Sequence, residues 1–214
     1  ADSRLGRADL EAYAPRFRRA LRYRYRDATV WVPGPPSVAG LLVLQALRAL
    51  EDHGPMPPPL GARQVRYLEH AMARVDYTRK NGARKHLFDP GFVDGFLAAI
   101  APDELGEEYV TSGRRPPGTG HTTHISVVDE DGNAVGITTS LGETCGVPVP
   151  EAGLLLNNFL GEADVNPEDV VIGPGERLMT MCCPTIVEIG DEVFVMGSGG
   201  SSRIRSAICT ASST

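Results

Sequence analysis

Apolar positions recur with a helical period through much of the first half of the chain. The segments VAGLLVLQALRALEDHG (38–54) and RQVRYLEHAMARVDYTRK (63–80) repeat their apolar residues about every three or four positions. This spacing is typical of a helix that packs one face against a core. Weaker helical patterns lie at 8–17, 91–99 and 102–110. We therefore expect the first half to be mainly helical.

Strand-like patterns occur before the first long helix and dominate the second half. RALRYRYRD and ATVWVPG, which together cover 19–34, predict two extended segments. After a Gly- and Pro-rich loop at 112–120, THISVVD and NAVGITT flank EDG, and TIVEIG and EVFVMG flank Gly190 and Asp191. Each arrangement predicts a β-hairpin. The sequence thus indicates an α+β or layered α/β fold with an antiparallel sheet.

Composition and charge narrow the class of protein. A chain of 214 residues with 42% hydrophobic content can form one sizeable core, and a net charge of -6 argues against nucleic acid or an anionic membrane as a partner. The arginines between positions 16 and 26 are interpreted as a solvated strand face. No apolar window approaches the roughly 18 residues of a membrane span, and no signal peptide is recognised. The four cysteines suggest neither a disulfide framework nor a zinc site.

The candidate chemistry centres on GHTTHISVVD, residues 120–129. His121 and His124 are too few to form a metal site by themselves. GSGGSSRI (197–204) could hold an anion, and without a lysine it fits an oxyanion better than a nucleotide. If the chain were cut before a threonine, the new α-amine could serve as its base. From spacing alone, however, Thr122 could equally be an ordinary β-branched strand residue.

Four ordered motifs carry a family resemblance. TTHISVVDEDGNAVGITTSL, GLLLNN, PGERLMTMCCPTIV and GSGGSSRI resemble the small-subunit core of the γ-glutamyltransferases, a branch of the N-terminal-nucleophile hydrolases. LGRADLEAYAPRF and VPGPPSVAGLLVLQALRALE resemble the end of their large subunit. The resemblance implies a four-layer αββα sandwich, with 1–121 large-subunit-like and 122–214 small-subunit-like within one domain. Because family members are much longer, we expect a piece of a longer protein, with an incomplete sandwich and a missing large-subunit segment that activity needs.

The resemblance also implies specific catalytic roles. The family cleaves itself before the first threonine of its T-T-H motif, which here is the bond between His121 and Thr122. Thr122 would then be the nucleophile of both processing and catalysis, and Ser140 would orient it, although Ser140 also fits an ordinary hairpin serine. Gly200 and Ser201 match the glycine pair whose backbone amides hold the oxyanion. No metal or organic cofactor is implied.

The implied substrate pocket departs from the family pattern. Gly142 stands where the family usually has asparagine, and Phe159 and Glu162 stand where it has a polar residue and an aspartate. Thr180 and Met181 replace a serine pair. Each lost hydrogen bond to a buried polar group costs about 1–3 kcal/mol, so these changes would weaken a glutamyl transition state by powers of ten. Glu162 also fits a solvated loop carboxylate.

Three functions are compatible with the resemblance and these departures from it. The first is cleavage of γ-glutamyl amides such as glutathione, with water or an amino compound accepting the acyl group. The second is an acylase of the same superfamily that takes a less polar acyl group, and the third is an unprocessed, non-catalytic scaffold. No arginine is assigned to the substrate carboxylate, since Arg177 and Arg203 are interpreted as loop braces. Oligomeric state and compartment stay open, although the family is often periplasmic or extracellular.

Overall fold

The computed structural model describes residues 6–59, 61–78, 121–162, 166, 171–200 and 203–212. Within these residues, the α-helices are α1 (Arg7–Ala12), α2 (Val38–Glu51), α3 (Ala62–Thr78) and α4 (Arg203–Ser212). The strands in the same ranges are β1 (Ala20–Tyr25), β2 (Ala28–Pro33), β3 (Thr122–Val128), β4 (Ala134–Ser140), β5 (Pro148–Val149), β6 (Leu154–Leu155), β7 (Thr185–Ile189) and β8 (Glu192–Met196). The helical patterns at 91–99 and 102–110 and the loop at 112–120 lie outside the described residues.

Both long helices and both hairpins predicted from the sequence are present, but the first helix is shorter than predicted. The helix expected over 8–17 ends at Ala12, and Tyr13 already has extended backbone angles, with φ -69° and ψ 128°. Pro15 explains the early end, because a proline disfavours helical geometry at the residue before it and cannot donate a backbone hydrogen bond. The prediction of its length was therefore wrong.

A four-stranded antiparallel sheet joins the two halves of the chain. Its strand order is β1-β2-β7-β8, so β2 from the first half pairs with β7 from the second. Val30 pairs with Val187, and both side chains face the hydrophobic core. The predicted solvated arginine face is present on β1, where Arg22 lies 5.5 Å from the centre of the Trp31 ring. The sheet is therefore one structure built from distant parts of the sequence.

The helical layer covers one face of this sheet. α2 is buried along almost its whole length, and its start is capped by Ser37, whose side chain accepts a hydrogen bond from the Gly40 N–H. α3 and α4 pack on α2 and are tied together by an ion pair of 2.8 Å between the buried Arg205 and Asp76. These contacts fix α4 against the helical layer.

The β3–β4 hairpin covers the other face of the sheet. Gly136 lies so close to β8 that a side-chain carbon there would be 3.1 Å from Val195 Cγ1. The hairpin's outward face remains open within the described residues, with Ile125 and Ile137 each 52% exposed. Helices, sheet and hairpin thus give an α+β fold with three of the layers of an αββα sandwich. None of the helices in the described part of the chain is long and apolar enough to span a membrane.

Candidate active site

Thr122 and Ser140 occupy the open end of the β3–β4 hairpin. They are partners in the strand register, so their side chains emerge on the same face, and their hydroxyl oxygens lie 2.8 Å apart. The Gly142 N–H donates a 3.1 Å hydrogen bond to Ser140 Oγ. Ser140 is thus fixed by the turn that follows it, and it can in turn hold the Thr122 hydroxyl in one orientation.

The peptide group before Thr122 is also held by hydrogen bonds. The Leu141 N–H donates to the His121 carbonyl at 3.0 Å, and the His121 N–H donates to the Gly142 carbonyl at 2.9 Å. This pairing extends the hairpin ladder by one residue beyond Thr122. A carbonyl that accepts a backbone N–H is polarised in the direction that helps a nucleophile to attack it.

The glycine-rich loop after β8 lies directly on Thr122. A side-chain carbon at Gly199 would be 2.9 Å from the Thr122 carbonyl oxygen and 3.2 Å from Thr122 Cβ. Gly200 has φ +107°, a conformation that residues with side chains rarely adopt. The structure therefore brings the predicted oxyanion residue Gly200 close to the predicted nucleophile, while Ser201 lies outside the described residues.

Gly142 leaves room that two neighbouring side chains occupy. Its φ is +67°, and a side-chain carbon there would lie 2.5 Å from Asn158 Oδ1 and 2.7 Å from Glu162 Oε1. Asn158 Oδ1 also accepts a 2.8 Å hydrogen bond from the Glu143 N–H. An asparagine side chain at position 142 would not fit this arrangement. Asn158 is a site residue to which the sequence analysis assigned no role, although the adjacent asparagines of GLLLNN marked the place.

Glu162 borders the same space, and Phe159 directly follows Asn158 in the chain. Phe159 is half-buried in a short 3-10 turn, Phe159–Gly161, and its carbonyl accepts a 2.7 Å hydrogen bond from Asn166. Burial raises the pKa of the Cys182 thiol, and the negative charge of Glu162 raises that pKa further. Glu162 thus lies near both Gly142 and Cys182. The structure brings this carboxylate to the site, and its role toward a substrate stays a prediction.

Thr180 presents a half-buried hydroxyl group, whereas the Met181 side chain is buried. Thr180 Oγ1 is half-buried and accepts a 3.0 Å hydrogen bond from the Cys182 N–H. Met181 is only 6% exposed and packs in the hydrophobic core, which leaves little of its side chain for a ligand. The substrate-contact prediction is therefore better supported by the geometry at Thr180 than at Met181.

Ser37 holds the loop that carries Thr180. Its hydroxyl donates to the Cys182 carbonyl at 2.8 Å, and the backbones of Ser37 and Thr180 form a parallel bridge. The side chain is 3% exposed, so these bonds are shielded from water. No role was predicted for Ser37 from the sequence. A serine directly before the predicted helix was the available signal, but its partner is 145 positions away in sequence.

His124, one of the two histidines near Thr122, is held by two neighbouring hydroxyl groups. His124 Nδ1 lies 2.7 Å from Thr138 Oγ1, and its Nε2 lies 3.0 Å from Ser126 Oγ. Burial lowers the pKa of the His124 imidazole. Across the described ranges, no three His, Cys, Asp or Glu side chains are grouped so that they could bind a metal ion. His124 is instead a packed, hydrogen-bonded residue beside the candidate nucleophile.

Arg177 and Arg203 both contact loops, as expected. Arg177 donates a hydrogen bond to the Ala14 carbonyl and lies over the Tyr13 ring. The Arg203 guanidinium lies against Gly200, where its Nε would be 2.9 Å from an added side-chain carbon.

A protein-family model and several known proteins match this chain. The family model described as gamma-glutamyltranspeptidase matches residues 1–213. The glutathione hydrolase proenzyme of Pseudomonas sp. (strain A14) is 33% identical over 228 residues, covering 94% of this chain and 39% of that protein. The acylase ACY 1 proenzyme of Pseudomonas sp. (strain V22) is 28% identical and covers 94% of this chain and 38% of its own length.

A solved structure shares the fold. The cephalosporin acylase from Bacillus halodurans superposes with a TM-score of 0.68 at 20% sequence identity, over 96% of this chain and 39% of that one. At this identity the likeness concerns the fold alone. The chain spans about two fifths of the length of the curated relatives it matches.

Proposed function

Because the chain belongs to the gamma-glutamyltranspeptidase family, we propose that it acts as a γ-glutamyltransferase-like N-terminal threonine hydrolase. The observation that carries the proposal is the 2.8 Å pair of Thr122 and Ser140 hydroxyls beneath the loop of Gly199 and Gly200. A nucleophile, an orienting hydroxyl and exposed backbone amides are the parts that acyl transfer requires.

Self-cleavage is the first step of the proposed mechanism. Thr122 Oγ attacks the carbonyl carbon of His121, whose oxygen accepts the hydrogen bond from the Leu141 N–H at 3.0 Å. As the bond from that carbon to the Thr122 nitrogen breaks, an ester forms and the nitrogen takes up a proton. Water then hydrolyses the ester, leaving a carboxylate on His121 and a free α-amine on Thr122. That amine becomes the base for later turnovers.

Turnover then uses the same hydroxyl. The α-amine removes the Thr122 hydroxyl proton while Oγ attacks the substrate amide carbon, and the Gly200 and Ser201 amides receive the oxyanion. The departing amine takes the proton, and water or an amino compound releases the acyl group from Thr122. Ser140 keeps the hydroxyl oriented through both halves of the reaction, which matters because small errors of geometry slow such attacks strongly.

The substrate we favour is a γ-glutamyl amide such as glutathione. Glu162 supplies a carboxylate for its ammonium group, and Thr180 supplies a hydroxyl for its carboxylate. The glutathione hydrolase proenzyme among the relatives supports this choice. Activity also requires, on this proposal, the large-subunit segment that the longer relatives contain, with 1–121 and 122–214 forming parts of one domain.

A less polar acyl group is the second candidate. Asn158 and Glu162 fill the place above Gly142, so the hydrogen-bond partner that the family usually has there is absent at that position. The apolar Phe159 stands directly after Asn158, where the family usually has a polar residue, and an acylase proenzyme is among the relatives. An acylase with a pocket adapted to such a group would keep the chemistry of Thr122 and change only the specificity.

Intact mass and N-terminal sequencing of the purified protein test the nucleophile. Cleavage between His121 and Thr122 is expected in the parent and lost in Thr122→Ala, whereas Thr123→Ala, whose side chain is exposed on the opposite face, is expected to cleave normally. Release of aniline from a γ-glutamyl anilide is then measured. A cleaved protein that ignores γ-glutamyl anilide but hydrolyses aliphatic acyl anilides supports the acylase, and a permanently uncut, inactive complete protein refutes both enzymes.

A further inference from the structure

The His124 imidazole fills a gap between the hairpin and the glycine-rich loop. It lies on the same face of β3 as Thr122, two residues further along. Thr138 on the partner strand and Ser126 on its own strand hold its two ring nitrogens, at 2.7 Å and 3.0 Å. Because both nitrogens are engaged, the ring is fixed in rotation as well as in position.

The loop depends on a missing side chain where it crosses this ring. A side-chain carbon at Gly197 would lie 2.2 Å from His124 Nδ1 and 2.5 Å from His124 Cε1 and Cγ. Carbon atoms do not approach ring atoms so closely, since repulsion rises steeply inside van der Waals contact. The backbone at 197 therefore rests on the imidazole only because glycine stands there.

The loop also contacts β3 at a second point. Gly199 rests on Thr122, where an added side-chain carbon would be 2.9 Å from the Thr122 carbonyl oxygen. The loop is thus seated on β3 at two points, His124 under Gly197 and Thr122 under Gly199. Gly200, with its left-handed φ of +107°, comes directly after the second point.

We propose that His124 is a positioning residue whose imidazole, seated against Gly197, sets the height of the Gly200 amide over Thr122. The inference rests on the proposed function, in which the Gly200 amide receives the oxyanion. Without the ring, the loop would lose one of its two supports and settle closer to the strand. This shift of the loop would destabilise the transition state more than it weakens substrate binding, because hydrogen bonds to the oxyanion form only as the carbonyl is attacked.

The contact between Gly197 and the His124 ring can be tested by a double-substitution cycle that does not require activity. Gly197→Ala is expected to lower the melting temperature strongly, because its methyl group would overlap the ring. In the double variant His124→Ala with Gly197→Ala, that methyl group enters the space the ring has left, so most of the loss is recovered. If Gly197→Ala does not fold, recovery of folded protein in the double variant is the same result. A double variant no more stable than Gly197→Ala overturns the proposal.

Kinetics of the complete protein test the positioning role. His124→Ala is expected to lower kcat by about a hundredfold, the size of effect known for a misplacement of about 1 Å, while KM changes by less than about threefold. His124→Phe restores the ring volume without its hydrogen bonds and should recover part of kcat. Unchanged kcat in His124→Ala, or a change confined to KM, contradicts the role. An unsubstituted complete protein that is uncut and inactive refutes the proposed function instead, and the stability cycle then decides alone whether His124 holds the loop.

Discussion

The hydroxyl oxygens of Thr122 and Ser140 lie 2.8 Å apart, although the two residues are 18 positions apart in sequence. The hairpin register makes them direct partners, and the Gly142 N–H fixes Ser140 from the other side. The pair therefore has one defined geometry before any cleavage occurs.

Ser140→Ala is expected to slow both self-cleavage and turnover by roughly ten- to a hundredfold. The variant removes one hydrogen bond to the nucleophile, and about 1.4 kcal/mol corresponds to each factor of ten in rate. Ser140→Thr keeps the hydroxyl and should retain most of the activity. Thr139→Ala is the matched control, since its side chain is exposed on the opposite face. The measurements are the rate at which the intact mass splits and the rate of anilide hydrolysis, and equal rates for Ser140→Ala and Thr139→Ala would contradict the prediction.

Glu162→Gln distinguishes the two proposed substrates. If Glu162 binds a substrate ammonium group, loss of its charge should raise KM for γ-glutamyl anilide about tenfold or more, since hydrogen bonds to charged groups are worth about 1.5–3 kcal/mol. Glu143→Gln, with an exposed side chain one position after Gly142, should leave KM unchanged. An aliphatic acyl anilide should be hydrolysed equally well by both variants. Steady-state kinetics on the two substrates provide the test.

Gly40→Ala is expected to destabilise the fold severely. A side-chain carbon at this position in α2 would lie 2.1 Å from the Pro33 carbonyl oxygen, so strand and helix would have to separate. Overpacking of this kind typically costs about 1–3 kcal/mol, and more when backbone must move. Gly161→Ala is the control, because nothing lies within 4 Å of its added carbon. Urea unfolding midpoints measure the difference, and similar midpoints for the two variants would show that α2 can shift freely.

The four cysteines should differ sharply in reactivity. Cys145 is exposed, whereas burial raises the pKa of Cys183 and Cys209 to about 12 and also raises that of Cys182. Because the thiolate is the reactive form, a native protein treated with iodoacetamide at neutral pH should be alkylated first at Cys145. Peptide mass mapping identifies the sites, and Cys145→Ser should remove the fast phase. Rapid labelling of Cys183 or Cys209 in folded protein would contradict this packing.

Acid should weaken the fold through His124. Burial lowers the pKa of its imidazole below the usual 6.5, so the unfolded chain takes up the proton more readily than the folded one. Its contribution to stability is therefore complete above about pH 6.5 and is lost as the pH falls through that value toward the folded-state pKa.

The stability of His124→Phe should therefore fall less than that of its parent between about pH 7.5 and about pH 5. The exposed His121→Phe serves as the matched control and should follow its parent. Both are best compared in a Thr122→Ala background, which keeps the chain uncut on the proposed mechanism. Unfolding midpoints at each pH give the comparison, and parallel curves for all three proteins would rule out His124 as the cause.

Local patterns predicted the elements well but not the contacts between them. Alternation located β3 and β4, and the short loop of residues 129–133 fixed the register that makes Thr122 and Ser140 partners. Pro15 was a visible reason for α1 to end early. By contrast, the bond from Ser37 to Cys182 depends on how β2, α2 and β7 pack, and no local periodicity encodes it. The same holds for His124 and Gly197, whose contact arises only when the hairpin covers the sheet.

The pairing of β2 with β7 has a consequence for the order of events in the life of this protein. On the proposed mechanism, the backbone is severed at a point between these two strands, yet each fragment keeps one side of their shared ladder. The fragments should stay together and copurify until the sheet itself melts. After the sheet has melted, neither fragment could rebuild it, because each contains only some of its strands. Folding therefore has to come before cleavage, and heat denaturation after cleavage should be irreversible.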